Sequence, residues 1–191
     1  MVQGILLAAG FGRRFQLAAT NEQDKLLAML PNQKSILFQS ASRLIQALPN
    51  SIAVIQPPQI ARRAILQALG FTVIESLRAK DGMGYAIADA VQASQDADGW
   101  LIALADMPWV TTELIQQLCA GIANKDSIVA PRFNGKRGQP VAFGKDWLST
   151  LSDLQGDFGA RDILQTAAIT WMDWHDRSIH QDVDVSSDLV G

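Results

Sequence analysis

Cysteine is almost absent from this sequence. One cysteine, Cys119, occurs in 191 residues, so the chain has neither an internal disulfide nor a cysteine cluster for zinc. Such usage is typical of a reducing compartment, and we expect a cytoplasmic protein. Cys119 lies in an apolar helical pattern, which favours buried packing over catalysis.

Long apolar runs and an excess of positive charge are also missing. No segment approaches the roughly twenty consecutive apolar residues that a membrane span needs, and residues 1–3 carry no basic export signal. The formal net charge is -3 and the pI about 5.3, whereas proteins that grip long nucleic acids present a basic face. We therefore expect neither a membrane nor a nucleic-acid partner. Small anionic ligands remain open, because local arginines matter more for them than the total charge.

The composition that is present describes an ordinary globular core. Hydrophobic residues make up 48% of the chain and charged residues 18%, with no low-complexity tract. A length of 191 residues suits one sizeable α/β domain and is short for two. We therefore predict a single domain over residues 1–191.

Apolar runs and helical patterns alternate along the chain. Ser35 is a typical N-cap for a helix that continues to Pro49, and Gly70 is a typical C-terminal cap. The predicted strands lie at 5–9, 52–55, 71–74, 100–105, 127–130, 141–143 and 169–174, and the further helices at 61–69, 85–94 and 111–123. This alternation predicts a mostly parallel sheet. Residues 141–143 are predicted to run antiparallel, since too few residues separate them from the preceding strand.

The first strand leads directly into a glycine turn. The apolar run from Ile5 to Ala9 is followed by Gly10, Gly12, Arg13 and Arg14. Ligands of open α/β sheets collect at the carboxyl ends of strands, glycines let backbone N–H groups approach a phosphate, and arginines supply charge. This pattern indicates an anion site, although a plain strand and turn with solvated arginines explains the stretch equally well.

Two common phosphate loops do not fit this stretch. The P-loop pattern Gly-x4-Gly-Lys-Ser/Thr is absent, and Phe15 stands where a dinucleotide fingerprint has its third glycine.

A second candidate site follows the apolar run from Trp100 to Ala105. Asp106 comes directly after this run, and a carboxylate at the end of a buried strand is costly unless it is paired or holds a cation. We therefore predict Asp106 as a metal ligand. The alternative is an aspartate that caps a turn ahead of the next helix.

Three further segments are candidates for parts of a site. The glycines of Asp81–Gly84 either clear space for a ligand's base or sugar or only begin a helix. In Gly156–Arg161, Asp157 suits an N-cap and Arg161 suits an anion. The acidic end, residues 182–189, either supplies a carboxylate that meets Asp106 or is an exposed tail.

Taken in order, the motifs resemble those of one family. They are LAAGFGRRF, Asp24-Lys25, DGMG at 81–84, LADMP at 104–108, RGQPVAF at 137–143, GDFGAR at 156–161 and DVDVSSDL at 182–189. The ordered set is similar to the molybdenum cofactor cytidylyltransferase-like nucleotidyltransferases, also described as MobA-like NTP transferases. The resemblance implies their GT-A-like α/β fold, a three-layer Rossmann-like architecture with a mostly parallel, mixed central sheet flanked by helices.

The resemblance also implies a role for particular residues. It places the nucleotide base on the backbone of Leu7, Ala8, Ala9 and Gly10 and the triphosphate on Arg13 and Lys25. Gly82 and Met83 would line the pocket for the base and ribose. It assigns catalysis to Arg13, Lys25 and Asp106, and a shared Mg²⁺ ion to Asp106 and Asp184. It assigns the acceptor to Gln139, Pro140, Gly156, Asp157, Gly159 and Arg161.

The activity that the resemblance implies is transfer of CMP from CTP to the phosphate of molybdopterin, with release of pyrophosphate. Ala8-Ala9 favours CTP, since guanylyl transfer in the family goes more often with Leu-Ala-Gly-Gly. The chain departs from the family in the long link QLAATNEQ at 16–23, in Gln139 where histidine is frequent, and in Ser186-Ser187.

These departures leave other functions open. The acceptor could be another phosphorylated small molecule, such as a sugar or alditol phosphate. A non-catalytic nucleotide sensor, or a protein that delivers cofactor to a molybdenum oxidoreductase, is the alternative of a different class.

Overall fold

A computed structural model of the chain describes residues 1–10, 24–157 and 159–183. Its strands are β1 (Val2–Leu7), β2 (Ile52–Ile55), β3 (Thr72–Glu75), β4 (Gly99–Leu104), β5 (Ile128–Phe133), β6 (Lys136–Arg137), β7 (Val141–Gly144) and β8 (Thr170–Asp173). Its α-helices are α1 (Ile36–Ala47), α2 (Ile60–Ala68), α3 (Met83–Gln92), α4 (Thr112–Ala120), α5 (Leu148–Ser152) and α6 (Arg161–Thr166). Short 3-10 helices span Lys25–Leu27, Arg78–Asp81, Lys145–Trp147 and Arg177–His180.

The strands form one mixed sheet in the order β3-β2-β1-β4-β7-β5-β6, with β8 beside β5. The pairs among β1 to β4 are parallel, and β7 runs antiparallel between β4 and β5. The predicted α/β class and the mostly parallel, mixed sheet are confirmed. The antiparallel direction of β7 is confirmed as well.

Helices cover both faces of the sheet. Successive residues of a strand point to opposite faces, so Leu6 packs with α1 and α4 on one side and Ile5 packs with α3 and α6 on the other. Each face has its own apolar cluster, and the central strands are buried between them. This burial explains why β2 and β4 read as continuous apolar runs.

Short side chains begin two of the helices. Ser35 accepts a hydrogen bond from the Phe38 N–H at 3.2 Å at the start of α1, as predicted. Thr111 accepts one from the Leu114 N–H at 3.2 Å at the start of α4. The N-cap role predicted for Asp157 is wrong, because α6 begins at Arg161, three residues after the position an Asp157 cap requires.

The hairpin after β5 turns at Asn134-Gly135. Both residues have positive φ angles, 50° and 73°, which asparagine and glycine tolerate best. In the described part of the chain, no helix is long and apolar enough to cross a membrane.

Candidate active site

The candidate site lies where β1 and β4 end side by side. The Ala105 N–H donates to the Leu7 carbonyl at 3.2 Å, and the Ala8 N–H donates to the Val54 carbonyl at 2.9 Å. A cavity of about 490 Å³ opens at this edge of the sheet. Eight residues from the sequence prediction line it: Leu7, Ala9, Gly10, Lys25, Gly82, Met83, Asp106 and Asp157.

Side chains from beyond β2 hold the glycine turn. Gln56 donates from Nε2 to the Ala9 carbonyl at 2.6 Å, and Gln59 donates to the same oxygen at 3.3 Å. Arg62 donates from Nη1 to the carbonyls of Ala8 and Gly10, the latter at 2.8 Å. These bonds replace strand pairing, so β1 ends at Leu7, two residues before the predicted strand does.

Lys25 and Asp106 meet across the cavity. The Lys25 Nζ donates to Asp106 Oδ2 at 2.8 Å, and the Lys25 side chain is only 8% exposed, against 27% for Asp106. Asp24 begins the short helix that carries Lys25, since its carboxylate accepts the Leu26 N–H at 3.0 Å. The structure thus brings together a cation and a carboxylate that are 81 residues apart in sequence.

The turn that carries Asp106 is fixed from two sides. Ser40 donates from its hydroxyl to the Ala105 carbonyl at 2.8 Å. Val183, one residue before Asp184, donates its backbone N–H to the Asp106 carbonyl at 2.9 Å. Asp184 itself and Arg13 lie outside the described residues. Within 1–10, 24–157 and 159–183, no three side chains of Asp, Glu, His or Cys converge to hold a metal.

The glycines at the start of α3 face protein backbone. A Cβ on Gly82 would lie 2.1 Å from the carbonyl carbon of Gly156, and one on Gly84 would lie 2.6 Å from the Gln155 carbonyl oxygen. The Gly84 N–H donates to the Gly156 carbonyl at 2.8 Å. The close approach of residues 155–157 to the start of α3 therefore explains both glycines. Clearance for a ligand is not needed to explain them.

A second, smaller cavity of about 150 Å³ lies beside the first. Gln139, Arg161 and Arg137 line it, and it shares Leu7 and Met83 with the first cavity. Two arginines beside a glutamine suit an anionic group that also accepts hydrogen bonds.

The remaining residues predicted for the acceptor occupy different positions. Gln139 joins Pro140 through a cis peptide bond, and its N–H donates to the Ile179 carbonyl at 2.9 Å. Gly159 packs beside Met83, with its Cβ position 3.3 Å from the Met83 sulfur. Asp157 lines the first cavity, with the residues predicted to bind nucleotide.

Sequence reasoning missed Arg62, Gln56 and Arg137. A signal for Arg62 exists in the pattern: Arg62 and Leu66 are the buried residues of α2, and their spacing of four puts both on one face. An arginine on the apolar face of a helix is a candidate for an internal partner. Gln56 follows β2 directly, as Asp106 follows the run of β4, so its position after a buried strand carried the same information.

The sequence profile of the MobA-like NTP transferase domain matches residues 4–174. The chain belongs to the MobA-like NTP transferase family. The match includes most of β1, the Lys25 and Asp106 pair, and the residues that line both cavities. It makes the protein a nucleotidyltransferase of that family. The comparison with curated proteins found no match.

Several solved structures share the fold of this chain. Rv0371c from Mycobacterium tuberculosis H37Rv is 21% identical, with a TM-score of 0.80 over 98% of this chain and 94% of that one. Its complex with manganese gives 19% identity and a TM-score of 0.71 over 91% and 86%. A nucleotidyl transferase from Methanothermobacter thermautotrophicus (Mth528) gives 17% and 0.84 over 98% and 94%. CMP:2-keto-3-deoxy-manno-octonic acid synthetase complexed with CTP gives 12% and 0.74 over 99% and 95%.

Proposed function

We propose that this protein transfers CMP from CTP to the terminal phosphate of a molybdopterin-type cofactor. The observation that best supports nucleotidyl transfer is the approach of Lys25 to Asp106, at 2.8 Å, inside a cavity that the glycine turn also lines. The pair of Ala8 and Ala9 in that turn favours CTP. A related fold that is solved with CTP is consistent with this nucleotide.

The residues of the first cavity would hold the nucleotide. The backbone of Leu7 to Gly10 and the start of α3 at Gly82 and Met83 would enclose its base and ribose. Lys25, together with Arg13, would neutralise its triphosphate. Because the Lys25 Nζ is held by the Asp106 carboxylate, an arriving phosphate would share this ammonium donor.

The transfer would need positioning more than covalent help. An oxygen of the acceptor phosphate forms a bond to the α-phosphorus, the bond from that phosphorus to the bridging oxygen breaks, and pyrophosphate leaves with the electron pair. Lys25 and Arg13 would stabilise the negative charge that develops on the phosphates. Gln139 and Arg161 of the second cavity would orient the acceptor.

Asp106 and Asp184 would hold Mg²⁺. The carboxylate of Asp106 is partly exposed at the cavity, and magnesium binds through one or two carboxylates plus phosphate oxygens and water. The bond from Val183 to Asp106 supports a shared ion, since Asp184 is the next residue. When bound, the ion would neutralise charge on the reacting phosphates.

A second acceptor class is supported by Gln139. The amide can donate and accept hydrogen bonds without carrying charge, and it borders a cavity with two arginines, which suits the phosphate and hydroxyl groups of a sugar or alditol phosphate. Delivery of the product to a molybdenum oxidoreductase belongs to the first acceptor class only.

A panel of substrates tests the proposal. The protein is incubated with Mg²⁺, one of the four NTPs, and either molybdopterin-type cofactor or a set of sugar and alditol phosphates, and pyrophosphate is measured. We expect pyrophosphate with CTP and the molybdopterin acceptor. Turnover with a sugar or alditol phosphate alone would support the second acceptor class. Binding of CTP without turnover of any pair would contradict an enzymatic role.

A further inference from the structure

Arg62 is a buried cation that lines neither cavity but bonds to two segments at the edge of the larger one. Its residue exposure is 2%, and charged side chains are buried to this extent only when they are well paired. Its guanidinium bonds to two separate pieces of the chain. One piece is the glycine turn, and the other is the start of the helix that carries Lys25.

The bonds to the second piece have the geometry of a fork. Arg62 Nε donates to Asp24 Oδ2 at 2.7 Å, and Nη2 donates to Asp24 Oδ1 at 2.7 Å. Asp24 Oδ1 also accepts the Leu26 N–H, so the same carboxylate fixes the helix whose first residue is Lys25. Bidentate pairs of this kind set orientation as well as distance.

The bonds from Arg62 to the glycine turn come from its third guanidinium nitrogen, Nη1. Nη1 donates to the carbonyls of Ala8 and Gly10. One planar group therefore sets the glycine turn and Asp24 at a fixed separation. Lysine could carry the charge at this position but could not reproduce four bonds in one plane.

We propose that Arg62 is a positioning residue for nucleotide binding: it holds the glycine turn, which would contact the base, and Lys25, which would contact the triphosphate, in the relative placement that one nucleotide requires. This inference rests on the proposed function only in taking a nucleotide as the ligand of the first cavity. It assigns no contact with substrate to Arg62. Its effect reaches the ligand through Asp24, Lys25 and the backbone of Ala8 and Gly10.

A matched pair of variants tests the inference. Arg62→Lys keeps the charge and loses the fork, while Arg63→Lys makes the same change at the next position of α2, where the side chain is partly exposed and pairs with Glu75. Affinity for CTP with Mg²⁺ is measured by calorimetry without any acceptor. We expect the dissociation constant of Arg62→Lys to rise about tenfold, the size of one lost charge-assisted bond, and that of Arg63→Lys to stay unchanged.

Asp24→Asn gives an independent variant with a smaller change in volume. We expect it to weaken CTP binding as well, and the double variant Arg62→Lys, Asp24→Asn to bind no more weakly than the worse single variant, because the two residues act as one unit. Additive losses in the double variant would overturn the inference.

A purely structural role gives a different result. It would lower the melting temperature and the fraction of protein that binds, while the dissociation constant of the folded fraction would stay at that of the parent chain, and this outcome would overturn the inference. Binding that depends on Arg62 in a protein without turnover would leave the inference standing and remove the proposed reaction. Turnover in the parent chain, together with an unchanged dissociation constant for CTP in Arg62→Lys, would leave the proposed reaction standing and overturn the inference.

Discussion

At the scale of single residues, the proposed chemistry depends on Asp106. Its carboxylate lies at the carboxyl end of the apolar run of β4, bonds to Lys25 at 2.8 Å and borders the larger cavity. The sequence predicted a metal ligand at this position, because a carboxylate directly after a buried strand is costly unless it is paired or holds a cation. The structure supplies that partner from the other side of the site.

Replacing this carboxylate tests its role. We expect Asp106→Ala to reduce the rate of pyrophosphate release by about a hundredfold or more, by analogy with the loss of one preorganised electrostatic contact. The measurement is the initial rate at saturating CTP. Asp173→Ala is the control, since Asp173 is an exposed aspartate of β8 that pairs with Arg132. A modest loss of rate in Asp106→Ala would contradict this role and assign metal binding to another residue.

At the scale of elements, the start of α3 and the 155–157 segment behave as one unit. Gly84 is the sharpest test because an added Cβ would meet the Gln155 carbonyl oxygen at 2.6 Å, and backbone cannot move aside as a flexible side chain does. The unit joins the larger cavity, through Gly82, to the segment that carries Asp157.

We expect Gly84→Ala to lower the free energy of unfolding by about 1–3 kcal/mol, the usual cost of overpacking, in a urea titration. Gly10→Ala is the control, since a Cβ at Gly10 meets no atom of the described residues within 4 Å. Equal free energies of unfolding for the two variants would show that residues 155–157 can shift to accept the added Cβ, and would contradict the prediction.

The elements themselves were largely predictable. Ser35 as an N-cap, the apolar runs of β2 and β4, and the short link before β7 each carry a local physical signal, and all are confirmed. The contacts between distant segments carry no such signal. Glycines at 82 and 84 suit a ligand and a backbone neighbour equally, and only the folded chain shows that residues 155–157 take the space.

The site could be predicted only where residue type and strand position agree. Asp106 met this condition, whereas the role of Lys25 was implied only by the family resemblance. Arg62 did not meet it, because an arginine in an amphipathic helix is normally solvated. For Asp157 the residue type alone was misleading. Aspartate is a good N-cap, but this one lies too far before α6 to cap it. Arg13 and Asp184 lie outside the described residues, so their roles stay predictions.

At the scale of the whole molecule, Cys119 reports on the integrity of the fold. Burial raises the pKa of the Cys119 thiol to about 12, from an ordinary value near 9.0. Burial thus favours the neutral thiol. The contribution of this group to the free energy of unfolding is fully present below its ordinary pKa of 9.0 and is lost as the pH rises from there towards about 12.

We expect a thiol reagent such as DTNB to react with native protein at pH 8 at least tenfold more slowly than with protein in urea, since the thiolate is the reactive form. The single cysteine makes the signal unambiguous, with one equivalent per chain on unfolding. Rapid reaction of the native protein would contradict the raised pKa of this half-buried thiol.

The most direct test of the central claim is to locate a divalent ion in the protein with CTP bound. A crystal grown with CTP and manganese gives an anomalous signal for the metal alone. The account predicts a peak at about 2.1 Å from a carboxylate oxygen of Asp106, shared with Asp184 and the phosphates, with the CTP base at the glycine turn. CTP bound in the larger cavity with no metal at Asp106, or CTP bound elsewhere, would contradict it.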